Sequence, residues 1–178
     1  MNPNPNATRI LCYGDSNTWG RSGASTDRYS VGVSWTSLLQ QQLGDAYEII
    51  EEGLRSRTTN LDDDDPRFPG RNGLTYFRPC LESHNPIDVL ILWLGTNDLK
   101  AKFNREASGV AQALSELVNE VKAVAHISNK KETKILLVGS PLVKEELLKP
   151  GSQFTGAGRK SRELGEQIEQ LADEVGCT

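Results

Sequence analysis

Short apolar runs alternate with amphipathic stretches along the chain. Ile10, Leu11, Cys12 and Tyr13 form the first run, which predicts a buried strand stopping at Gly14. From Ser34 the apolar positions Trp35, Leu38, Leu39 and Leu43 recur at helical spacing and end at Gly44. Residues 47–51 predict a second strand, closed by Gly53, and Leu74, Phe77 and Leu81 mark another helix after the break at 70–73. Residues 87–94 carry the strongest strand signal, apolar almost throughout as in a parallel strand covered on both faces. A long helix follows, with Val110, Leu114, Leu117, Val118, Val121, Val124 and Ala125 on one stripe. Residues 134–138 predict a fourth strand, 142–158 a loop, and Leu164, Ile168, Leu171 and Val175 a last helix.

Strand and helix in alternation predict an α/β fold with a parallel sheet and helices on both faces: three α/β/α layers in a flavodoxin-like strand order. A length of 178 residues suits one domain over 1–178, with residues 1–7 as a loose tail. A formal net charge of −4 and the lack of a basic stripe exclude a nucleic-acid footprint. No apolar stretch is long enough for a membrane span, and the N-terminus lacks the apolar core of a signal peptide. Cys12, Cys80 and Cys177 have neither disulfide nor metal spacing, so a reducing, cytoplasmic setting is expected.

Three strands end in glycine-containing turns: Gly14-Asp15-Ser16, Gly53, and Gly95-Thr96-Asn97-Asp98. In a parallel sheet such turns gather at one edge, where ligands bind. They supply a hydroxyl nucleophile at Ser16, an uncrowded backbone N–H at Gly53 and a carboxamide donor at Asn97. Attack on an ester carbonyl builds charge on one oxygen, which the Ser16 and Gly53 N–H groups and the Asn97 amide are suited to receive. Trp19 reads equally as a pocket wall or as packing under the polar segment 21–30, which is long enough to arch over the site. Thr96 and Asp98 read as residues that orient their turn, and Arg55 and Arg57 as solvated or as contacts for an acidic substrate. The acids at 62–65 read as a solvated run, so no metal site is expected.

YGDSNTWG, the glycine of EEGLRSRTT, and LGTND resemble three of the four signature blocks of the SGNH (GDSL-type) hydrolases. TWG after the serine, IIEEGLRSRTT and ILWLGTNDLKAKF are most similar to the arylesterase/acyltransferase branch. The resemblance implies a serine esterase or acyltransferase that needs no cofactor and takes a small-molecule ester. By it Ser16 is the nucleophile, Ser16, Gly53 and Asn97 form the oxyanion hole, and Asp15 supports the turn. Oligomers that close over the site occur in that branch, so a homo-oligomer is possible. A carbohydrate deacetylase or lysophospholipase of the same family is the alternative within the class. A non-catalytic flavodoxin-like module holding phosphate or flavin is the alternative outside it, disfavoured because no glycine- or threonine-rich phosphate loop follows the first strand.

In the family the base is a histidine, oriented by an aspartate, from an Asp-x-x-His segment after a fifth strand. The sequence ends at Gly176-Cys177-Thr178, where that strand would begin. His84 and His126 precede the third and fourth strands, roughly 17–20 Å from the serine edge for strands of five or six residues. Neither is expected to reach the hydroxyl, which requires about 3 Å. Two expectations follow: a chain truncated from a longer esterase, or one that ends here and is nearly inactive. Truncation is preferred, because no residue present departs from the catalytic pattern.

Overall fold

The computed structural model describes residues 2–23, 27–127 and 132–177. Its β1 (Thr8–Gly14) is buried from Ile10 onward, as an unbroken apolar run requires. With β2 (Tyr47–Gly53), β3 (Val89–Trp93) and β4 (Lys134–Leu137) it forms one parallel sheet of order β2-β1-β3-β4. This is the flavodoxin-like order expected. The direction of travel reverses at β1, so a crevice opens beyond the carboxyl ends of β1 and β3. Apolar runs mark the buried part of a strand rather than its ladder. Thus β1 starts at Thr8, because Thr8 and Arg9 pair with Tyr47 and Glu48, while Ile87 and Leu94 are buried but lie outside β3.

A one-turn helix, α1 (Ser16–Trp19), follows β1 where the sequence suggests only a turn. On one face of the sheet α2 (Trp35–Leu43) brings Trp35 against Trp93, ring centres 5.9 Å apart. The other face is covered by α3 (Gly73–His84), α4 (Ala107–Ile127) and α5 (Ala157–Val175). There Leu11, Tyr13, Leu90, Leu92, Ile135 and Leu137 join one core with Phe77, Leu81, Leu114, Leu117, Leu164 and Ile168. The tail expected to be loose is tethered, since Asn2 Nδ2 donates to the Asp45 and Tyr47 carbonyls and Asn4 Nδ2 to Asp45. No helix among the described residues is long and apolar enough to cross a membrane.

Two glycines decide where α1 sits. Gly14 and Gly53 are register partners at the ends of β1 and β2. A Cβ on Gly53 would lie 2.2 Å from Trp19 N and 2.5 Å from Trp19 Cα; one on Gly14 would lie 2.1 Å from Thr18 Oγ1. The α1 backbone therefore rests directly on Gly53, and the Thr18 side chain on Gly14. Gly53→Ala forces backbone against backbone and is expected to cost about 2–3 kcal/mol, read as a lower denaturation midpoint at unchanged slope. Gly165→Ala, in α5 with open space around it, is the control and should stabilise by about 0.5–1 kcal/mol. Equal midpoints for Gly53→Ala and the wild type would remove this support for α1.

Candidate active site

Asp15 caps α1: its Oδ1 accepts from Asn17 N at 2.8 Å, and its carbonyl accepts from Trp19 N at 2.9 Å. The turn that follows presents Ser16 to a cleft of about 710 Å³ at the carboxyl edge of the sheet. Asn97 opens a 3-10 turn after β3 and reaches the same cleft. Its Nδ2 donates to the Arg57 carbonyl at 3.0 Å and, less closely, to Asp15 Oδ2 at 3.3 Å. One amide thus touches the turns after all three strands.

Two buried charges hold these turns in place. Arg57 Nη1 donates to the Gly14 carbonyl at 3.0 Å and to the Glu52 carbonyl, with its guanidinium over the Tyr13 ring. It satisfies strand-end oxygens rather than facing the cleft, which corrects the reading of Arg57 as a substrate contact. Asp98 accepts from Thr59 N at 3.0 Å, from Thr59 Oγ1 at 2.5 Å and from Arg105 Nη1 at 3.1 Å, locking the β3 turn to the chain leaving β2. Burial raises its pKa against those bonds.

Of the residues singled out from sequence, Ser16, Thr96 and Asn97 line the cleft, as does Arg55. Asp15 and Asp98 are buried beneath it. Gly53 lies under α1, and since Leu54 N donates to the Gly14 carbonyl at 3.1 Å, strand alternation leaves the Gly53 N–H out of the β1–β2 ladder. Trp19 is not a cleft wall. It is absent from the cleft lining, and its ring is approached by the guanidiniums of Arg28 and Arg55, at 5.6 and 5.4 Å from the ring centre. The segment expected to arch over the site turns back on itself: Arg21 and Arg28 form an antiparallel bridge and Arg28 pairs with Glu51. Residues 24–26 of that segment lie outside the described residues.

Sequence reading missed the far wall, formed by residues 147–154, and the contributions of Ser56, Phe68 and Lys100. Nothing in local periodicity marks a loop that meets the site only through the fold. Of the acids at 62–65, Asp63 pairs with Lys102 and Asp65 with Arg67. His84 closes α3, and its Nε2 lies 2.8 Å from Glu52 Oε1, away from the cleft lining. The ring thus reaches back to the penultimate residue of β2, further along the sheet than its place before β3 suggests. His126 falls in the last turn of α4, where side chains lie outside those described. Glu52, Cys80 and His84 have ligand-type atoms within 4.8 Å of one another. Burial pushes the Cys80 thiol up to about 12, so the group is a hydrogen-bonded pair beside a protonated thiol.

The sequence and fold match known proteins. The model of the GDSL-like lipase/acylhydrolase family matches residues 12–178. The chain belongs to that family. As a member of the SGNH-type hydrolases it is a carboxylic-ester hydrolase, and its fold is theirs. It is similar to an aryl esterase of M. smegmatis solved with inhibitor bound, at 40% identity and a TM-score of 0.85, over 96% of this chain and 82% of that one. It is also similar to Est24, a carbohydrate acetylesterase from Sinorhizobium meliloti, at 37% identity and a TM-score of 0.85, over 96% of this chain and 81% of that one. No curated protein compared by sequence matches.

In this hydrolase the Asp15 carboxyl is pushed up to about 6 by burial, against the pull of its bonds from Asn17 and Thr96. An unfolded aspartate titrates near ~3.9, so folding favours the protonated form. The resulting stability is complete below about pH 4 and is lost as pH rises through about 6. Asp15→Asn keeps a capping oxygen and cannot ionise. Relative to the wild type its melting temperature should therefore rise between about pH 4 and about pH 7.5, by up to ~3 kcal/mol in stability. A gap between the two proteins that is constant with pH would contradict the assignment.

Proposed function

We propose that the cleft hydrolyses short-chain or aryl carboxylic esters through an acyl-Ser16 intermediate. The observation that carries this reading is the meeting of Ser16 and Asn97, far apart in sequence, on one cleft at the reversal point of the sheet. Ser16 Oγ attacks the ester carbonyl, and charge gathers on the carbonyl oxygen. The Ser16 N–H, the Gly53 N–H and the Asn97 amide receive it, the amide exchanging its longer 3.3 Å bond to Asp15 for the new oxygen. Collapse of the tetrahedral species expels the alcohol, and water or a second alcohol then takes the acyl group from Ser16. The proton of Ser16 passes to a base that the family resemblance assigns to an Asp-x-x-His segment; no histidine lines the cleft among the described residues. The likeness to Est24 supports an acetyl ester of a carbohydrate as a second substrate class. Family membership speaks against the flavin- or phosphate-binding module.

A fluorophosphonate probe followed by peptide mass spectrometry is expected to label Ser16. In protein that carries the Asp-x-x-His segment, Ser16→Ala should abolish labelling and lower p-nitrophenyl acetate turnover by about 10³-fold or more. Labelling of another residue, or turnover that survives Ser16→Ala, would overturn the proposal.

A further inference from the structure

The cleft is charged opposite to the molecule. The chain carries a formal net charge of −4. Yet Arg21, Arg55, Lys100 and Lys149 line the cleft, and none of the described residues lining it is a carboxylate. Lys100 is only 7% exposed. Its ammonium forms no ion pair among the described residues and reaches the Ser56 hydroxyl at 3.5 Å. A cation withdrawn from water without a counter-charge is costly to maintain. Asp63 and Asp15 act on Lys100 from a distance, and Asp63 is already paired with Lys102. Burial, more than any neighbouring charge, lowers the Lys100 pKa, with Lys102 adding to the effect and Asp63 and Asp15 opposing it.

These cations are fixed relative to the chemistry. Lys100 N donates to the Asn97 carbonyl at 3.2 Å, which places it one tight turn from the amide donor. Arg55 lies over the Trp19 ring, 5.4 Å from its centre, which restrains the guanidinium. Trp19 follows Ser16 in the same one-turn helix, so Arg55 and Ser16 are positioned by one element.

We propose that this cleft selects esters bearing a second, ionised acid group, seated against Lys100 and Arg55 with Arg21 at the rim, while the ester carbonyl lies at Ser16. The inference rests on the esterase reading of the same cleft and narrows its substrate to anionic esters. An anion in this position supplies the counter-charge that Lys100 lacks. Between cleft walls the attraction is screened less than on an open surface.

Binding tests this without turnover. Ser16→Ala protein is titrated, by amide chemical shifts, with monoethyl succinate against diethyl succinate, which carry the charge on the acyl half or not at all. O-acetyllactate against its ethyl ester places the charge on the alcohol half. In at least one pair the anion should bind about tenfold tighter at low salt, with the gap closing at high salt. Adding Arg55→Gln or Lys100→Gln should cut that preference about threefold or more, with a larger loss for the anion than for the neutral ester. Arg21→Gln, at an exposed position, serves if the buried Lys100→Gln fails to fold. Equal affinities within both pairs, or a preference that survives Arg55→Gln with Arg21→Gln, would overturn the proposal. Labelling at Ser16 without anion preference refutes this inference alone; anion preference without labelling refutes the catalytic reading alone.

Discussion

A one-turn helix can rest on two strand ends only where neither carries a side chain. Gly14 and Gly53, paired in register, provide that seat, and α1 occupies the space that two Cβ atoms would fill. Because α1 begins at Ser16 and ends at Trp19, this close approach sets both the serine that lines the cleft and the ring beside Arg55. A strand end with a methyl group would lift all of it together.

The other turns are bound to this seat by buried polar groups. Arg57 bonds to the carbonyls of Gly14 and Glu52 and offers its own carbonyl to the Asn97 amide. Asp98 ties the β3 turn to Thr59 and Arg105. Such satisfied networks in a low-dielectric setting are rigid, and losing one partner exposes the desolvation cost of the other. Asp15 belongs to the same network, accepting from the α1 backbone while touching the Asn97 amide. The carboxylates that shape the site therefore lie beneath it, and the cleft itself is left to cations.

The fold was legible because the inner strands β1 and β3 are apolar runs, and because a glycine stands at or just beyond the carboxyl end of each of β1, β2 and β3. Ser16, Gly53 and Asn97 were legible as candidates for the same reason, since parallel strands bring their turns to one edge. What escaped is what has no local pattern. Four residues of α1 are too few to show a helical period, and the 147–154 wall meets the cleft only across the fold. Arg55 and Arg57 look alike in sequence, yet one lines the cleft and the other is buried on strand-end carbonyls.

The proposed reaction requires three donors to converge on one oxygen. A crystal structure of the Ser16 phosphonate adduct tests that convergence directly. The phosphonyl oxygen is expected within about 3 Å of the Ser16 nitrogen, the Gly53 nitrogen and Asn97 Nδ2, with the amide released from Asp15. An adduct whose oxygen faces solvent, with Asn97 still on Asp15, would contradict it.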